Sequence, residues 1–281
     1  MKVIDSDRYS EAGIETMVFP GGEPHVKVPR MEEDVILILR LRSWADVGFA
    51  VLVIDAFERQ GRLRHCFVPY FPAARQDKTD GRAALSLAVI GRLFGTTPIR
   101  VFDPHSVKLL EHVNVARAYM PADLDLPIKP DVVGIIAPDE GARGRAVHFR
   151  DRFYPAAPMV LATKRRDPQT GALSNYQLPA LARAGRYIIV DDICDGGGTF
   201  NLLAEAFAGR AAELAGTCLL DLFVSHGIFS KGLGAIAEGI GSITTTDSWC
   251  RLPEDGRLRV LPLAPIVEAL SKEQNQGEPR A

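Results

Sequence analysis

The sequence has no cysteine pairing pattern, no long apolar run and no surplus of either charge. Its four cysteines, Cys66, Cys194, Cys218 and Cys250, form no C-x-x-C pair and share no Cys/His run. That excludes a zinc ribbon and a thioredoxin-type redox motif. Two of them sit inside apolar runs, so they read as buried free thiols of a reducing compartment. No stretch approaches the roughly 20 apolar residues of a membrane span. Met1–Asp7 also lacks the long apolar region of a signal peptide. The expectation is a cytoplasmic protein that does not associate with membranes. The formal net charge is −2, which gives no global pull toward nucleic acid. Any polyphosphate ligand must therefore be held by local clusters.

What is present is a soluble α/β composition, 47% hydrophobic and 24% charged over 281 residues, enough for one large or two medium domains. The most informative stretch is Tyr187-Ile188-Ile189-Val190-Asp191-Asp192-Ile193-Cys194-Asp195-Gly196-Gly197-Gly198-Thr199. A short apolar strand leads to two carboxylates, then to three glycines and a threonine. A helical pattern follows from Phe200. Glycines let backbone N–H groups approach an anion, and a helix N-terminus adds a favourable dipole. The acidic pair suits ribose hydroxyls or a phosphate-associated metal.

Other strands end in the same way. Val35–Leu39 is an unbroken apolar run, and Ser43 is placed to cap the helix that follows. Arg64–Tyr70 runs into Arg75-Gln76-Asp77-Lys78, and Ile99–Phe102 runs into Asp103-Pro104-His105-Ser106. Pro121–Pro130 reads as a boundary, after which the pattern restarts. Val132–Ala137 leads to Asp139 and Glu140. Met159–Ala162 leads to Lys164-Arg165-Arg166, and the polar stretch Asp167–Gln177 reads as a mobile loop. Leu233–Ile240 reads as a short helix. The fold class is α/β, with mostly parallel sheets flanked by helices on both faces.

Each cluster has two readings. Arg75–Lys78 is either a triphosphate and base clamp, since Arg suits bidentate phosphate contact, or a solvated loop. His105 is a metal or phosphate ligand or a structural histidine. Asp139 either holds Mg²⁺ or caps a helix. Lys164 and Arg166 either stabilise a transferring phosphoryl group or form a solvated surface cluster.

Taken in order, these pieces resemble the phosphoribosyl-diphosphate (PRPP) synthetases, or ribose-phosphate diphosphokinases. The matching segments are Phe19-Pro20-Gly21-Gly22-Glu23, Pro69 to Lys78, Asp103-Pro104-His105-Ser106, Pro138-Asp139-Glu140-Gly141, Lys164-Arg165-Arg166, Asp191 to Thr199, and Ser225-His226-Gly227-Ile228-Phe229-Ser230. The resemblance implies two tandem phosphoribosyltransferase-like domains, residues 1–126 and 127–263, with a C-terminal helix over 264–281 returning to the first. It implies transfer of the β,γ-diphosphate of Mg-ATP to the anomeric hydroxyl of ribose 5-phosphate. Phe19, Glu23, Arg75, Gln76, Asp77 and His105 would bind ATP, with His105 and Asp139 toward Mg²⁺. Lys164 and Arg166 would be catalytic. Asp191, Asp192, Asp195, Gly196, Gly197, Gly198 and Thr199 would hold the ribose phosphate. The implied assembly is a homodimer or larger homo-oligomer.

Gly196 and Gly197 stand where the family usually has a hydroxyl residue followed by Ala or Gly. Their lack of side chains predicts a more open loop, with room for ADP-ribose as the acceptor. The early Phe-Pro-Gly-Gly-Glu resembles a phage-type branch with that activity, which would serve NAD salvage. Two other readings compete. A phosphoribosyltransferase that consumes PRPP would need neither Arg75–Lys78 nor Lys164 and Arg166. An inactive PRPP-synthetase-associated protein would have lost the catalytic loop, and Lys164 and Arg166 are present.

Overall fold

The computed structural model describes residues 1–166, 173–249, 252 and 256–273, with the backbone alone described for Arg165, Arg166 and 173–175. The expected loop residues 167–172, with Pro168 and Gly171, lie outside the described residues, as do Cys250 and the polar tail beyond 273. The chain forms two compact units. One is Met1–Met120 together with Leu263–Ala281, and the other is Pro121–Pro262.

The first unit runs β1 (Lys2–Asp5), β2 (Glu15–Val18), β3 (Pro24–Lys27), β4 (Val35–Ile38), α1 (Trp44–Arg59), β5 (Leu63–Val68), α2 (Ser86–Leu93), β6 (Ile99–Phe102), α3 (Leu109–His112) and β7 (Val115–Tyr119). Strands β1-β4-β5-β6-β7 make a parallel sheet in that order, while β2 and β3 form an antiparallel hairpin. All four residues of β4 are buried, as a strand covered on both faces requires. Ser43 starts α1 with a capping box, in which Asp46 N–H donates to Ser43 Oγ and Ser43 N–H to Asp46 Oδ2. The helix then buries Val47, Ala50, Val53, Ile54 and Phe57 on one face.

The second unit runs β8 (Val132–Ala137), α4 (Glu140–Phe153), β9 (Met159–Leu161), β10 (Thr163–Arg166), β11 (Leu173–Gln177), β12 (Gly185–Cys194), α5 (Gly198–Ala211), β13 (Cys218–Gly227), β14 (Ile240–Thr246) and β15 (Leu258–Leu261). Its main sheet is parallel in the order β15-β14-β13-β12-β8-β9, and β10 pairs antiparallel with β11. Helix α6 (Ala264–Lys272) belongs to the first unit. There Glu273, just past its end, lies 3.4 Å from Arg100, 3.6 Å from Arg117 and 3.7 Å from His65.

Two expectations about elements are corrected. Leu173–Gln177 is strand β11, not loop, because Thr163–Arg166 offers it a backbone ladder and Tyr176 is buried there. Leu233–Ile240 is not a helix. Only Leu233–Ala235 makes a single 3-10 turn, and Ile236 already has extended backbone. Gly232, Gly234 and Gly239 weaken helix formation in that stretch.

Candidate active site

In the second sheet the order of strand addition reverses between two neighbours. From β8 the chain steps outward to β9, and from β12 it steps the other way to β13. Loops leaving the carboxyl ends of such neighbours diverge and leave a crevice, the usual ligand site of open parallel sheets.

Asp139 follows β8 and caps α4, its Oδ1 accepting from Ala142 N–H at 3.0 Å. Its other oxygen receives Lys164 Nζ of β10 at 2.5 Å. Burial pushes the Asp139 carboxyl up, but the Lys164 hydrogen bond and backbone N–H donors more than offset this and hold it below its usual value. For Lys164, burial works against the ammonium, yet Asp139, Tyr176 and Asp191 hold the proton more strongly than usual. Lys164 is therefore a fixed cation, gripped by α4 and facing β12.

Asp191 and Asp192 are not beyond the strand, as the sequence suggests, but within it. Strand β12 continues to Cys194, with Asp191 opposite Val224 of β13. Asp192 is buried, 4% exposed, and lies 3.9 Å from Arg145 of α4. The Asp191 carboxyl is pushed well above the usual range, first by burial and then by the neighbouring Asp192, with Arg145 partly opposing. Two desolvated carboxylates this close hold on to a proton. Cys194 is buried, and its thiol is pushed up to about 12 by burial, then by Asp191 and Asp195, so it is no nucleophile.

The turn after Cys194 leads through half-buried Asp195 and Gly196 to Gly197, whose φ of 79° lies in the left-handed region that favours glycine. Gly197 is the N-cap of α5, without a side-chain cap and with no acid in the first turn. The N–H groups of Phe200 and Asn201 return to the Gly197 carbonyl, both at 3.0 Å. The first turn thus presents an uncompensated positive end. Half-buried Thr199 lies beside the buried Tyr176 phenol, which Lys164 also faces.

Two of the three glycines of this turn have side chains packed against them. A Cβ on Gly197 would stand 2.3 Å from Ile236 Cδ1, and one on Gly196 would stand 3.3 Å from Lys231 Cδ and Cε. Side chains from another segment occupy the space that these glycines leave.

Of the residues expected in this half, the structure gathers Asp139, Lys164, Asp191, Asp192 and Thr199. Arg166 ends β10, and its side chain is outside what is described. Three residues went unread. Arg145 shares the helical face of Ala142, Ala146 and Phe149, a spacing that could have marked it as buried. Tyr176 and Lys231 gave no local signal.

In the first unit, Lys108 Nζ donates to the Asp77 carbonyl at 3.1 Å, tying the loop after β5 to the loop after β6. Arg75, Gln76 and His105 are exposed on these two loops. Asp103, fully buried, turns the second loop at a φ of 38°. Phe19 and Glu23 are on a different element, the β2–β3 hairpin tip, where Phe19 N–H donates to the Glu23 carbonyl at 2.9 Å.

Among the described residues, no group of three or more His, Cys, Asp or Glu side chains could hold a metal ion. Both Asp139 oxygens already have partners. Among the described residues, no helix is long and apolar enough to cross a membrane.

Residues 111–221 match the family model described as a phosphoribosyl transferase domain. The chain is 28% identical to the ribose-phosphate pyrophosphokinase of Maricaulis maris, over 92% of this chain and 87% of that protein. It is 25% identical to that of Sulfurisphaera tokodaii, over 90% of each. The phosphoribosylpyrophosphate synthetase structure from Mycobacterium smegmatis superposes with a TM-score of 0.70 at 20% identity, covering 94% of this chain and 92% of that one. That likeness establishes the shared α/β fold.

Proposed function

We propose that this chain, a relative of the ribose-phosphate pyrophosphokinases and an enzyme of their type, transfers the β,γ-diphosphate of Mg-ATP to the anomeric hydroxyl of ribose 5-phosphate. The products are PRPP and AMP. The observation that carries the reading is Lys164, held as a cation by Asp139 and facing both Asp191 and the Tyr176 phenol. A phosphoribosyltransferase needs only the carboxylates and the glycine turn. A fixed lysine beside them suits stabilisation of charge on a phosphoryl group in flight.

In this reading the open first turn of α5, with Thr199, takes the 5-phosphate, and Asp191 and Asp192 take the ribose hydroxyls. Arg75, Gln76 and Asp77 bind the nucleotide, with Phe19 and Glu23 toward the base. His105 would take the magnesium that the nucleotide brings, which neutralises triphosphate charge. The anomeric oxygen bonds to the β-phosphorus and loses its proton as the bond from that phosphorus to the AMP oxygen breaks. Lys164 and Arg166 meet the charge on the moving diphosphate.

Ribose 5-phosphate is kept ahead of ADP-ribose because the relatives are ribose-phosphate pyrophosphokinases and the side chains of Lys231 and Ile236 lie against Gly196 and Gly197. The test is ³¹P NMR of the protein with Mg-ATP and either acceptor. AMP and PRPP from ribose 5-phosphate are expected. AMP release with ADP-ribose alone would reassign the acceptor. No AMP with either acceptor would refute the reaction.

A further inference from the structure

The glycine turn is closed by a segment arriving from the next strand. After Gly227 ends β13, the chain folds back over the end of β12. Ile228 and Phe229 both donate their N–H to the Cys194 carbonyl, at 2.9 and 3.1 Å. Phe229 takes a φ of 47° to do so, and its ring is buried. Further along, Asn201 of α5 grips the same segment twice. Its Nδ2 donates to the Ala235 carbonyl and its Oδ1 accepts from Ala237 N–H, each at 2.8 Å.

Lys231 and Ile236 lie between these two anchors. Ile236 is buried and plugs the hollow of Gly197. The Lys231 stem lies across Gly196, with Cδ and Cε 3.3 Å from the position of the missing Cβ. Lys231 is exposed and, among the described residues, has no ion pair. The segment therefore lays the Lys231 stem across the turn that leads into α5, whose first turn contains no acid. An anion at that turn would meet both the lysine and the N-terminus of α5.

We propose that Lys231 is the cationic ligand for the phosphoryl group on C5 of the ribosyl acceptor, replacing the side chain that Gly196 lacks. The inference rests on the reaction proposed above and adds a specificity-determining residue to it. Lysine acts as a mobile point charge rather than a directional fork, so the site selects for the charge of the acceptor's phosphate.

The test compares wild type with Lys231→Met, which keeps the stem and removes the charge, and Lys231→Arg, which restores it. Lys231→Met should raise the KM for ribose 5-phosphate about tenfold or more, as loss of a charge-assisted contact implies, with the KM for ATP unchanged. Without ligand it should melt close to wild type, because the Lys231 head group is exposed. Its thermal stabilisation by ribose 5-phosphate should shrink, and Lys231→Arg should recover most of it. If wild type turns over ribose 5-phosphate and Lys231→Met shows the same KM and the same stabilisation, Lys231 is a solvated lysine and the inference fails alone. If wild type neither releases AMP nor is stabilised by ribose 5-phosphate, the reaction and the inference fall together.

Discussion

Lys164 and Asp139 join the start of one strand to the start of one helix: the ammonium of β10 rests on the residue that caps α4. Neither partner serves only this contact, because Asp139 still accepts from Ala142 N–H and Lys164 still feels Asp191 and Tyr176. Lys164→Ala should lower kcat for AMP release by about 10²–10³-fold, the usual scale for removing one donor aimed at developing charge. The pair is about one-third exposed on each side, so the fold should lose no more than about 1 kcal/mol. Steady-state kinetics with denaturant melts would separate the two effects. Undiminished turnover would remove Lys164 from the mechanism.

Asp191 should trade stability for function. Its carboxyl is raised, first by burial and then by Asp192, so the folded protein keeps a proton that the unfolded chain releases at a lower pH. Ionisation then weakens the fold as pH climbs past the unfolded carboxylate value of about 3.9. Asp191→Asn should therefore melt higher than wild type at pH 8, show little difference near pH 3, and bind ribose 5-phosphate less tightly. Equal melting temperatures at pH 8 would show that the pair is not repulsive.

His65 sets an acid limit on the first unit. It is 4% exposed, and its pKa is lowered to about 4, by burial first and then by Arg100, despite Glu273. A histidine lowered in this way binds fewer protons folded than unfolded. Stability should thus fall as pH drops from about 6.5 through about 4, by roughly 3 kcal/mol over that span. His65→Phe should flatten the denaturation midpoint over this window. An unchanged slope would place the acid sensitivity elsewhere.

The two glycines that begin α5 should respond in opposite ways. Gly197→Ala combines a left-handed φ of 79° with a 2.3 Å approach to Ile236, and about 2 kcal/mol or more should be lost. At Gly198, whose φ lies outside that region, nothing stands within 4 Å of an added Cβ. Gly198→Ala should leave chemical denaturation unchanged or slightly improved.

Much of the scaffold could be read from local pattern. Val35–Ile38 had to be a buried strand because it offers no polar face, and Ser43 with Asp46 could do little but start a helix. Asp139 was legible as a helix cap, because a strand-to-helix turn demands one. Strand β11 was not legible, since its partner β10 is what turns a polar stretch into a ladder. The filling of the glycine turn was missed for a similar reason. Pattern reading equates a missing side chain with empty space, whereas packing lets a residue 35 positions downstream occupy it (Lys231 at Gly196).

That borrowed occupancy makes residues 196 and 231, and likewise 197 and 236, single traits written in two places. A graft of the glycine turn alone into another scaffold would transplant a hollow, and a serine restored at 196 would meet a lysine already in its seat. The inheritable unit of this glycine turn is the pair of segments that Cys194 and Asn201 stitch together, so substitutions within it should show epistasis across that stitch rather than along the motif.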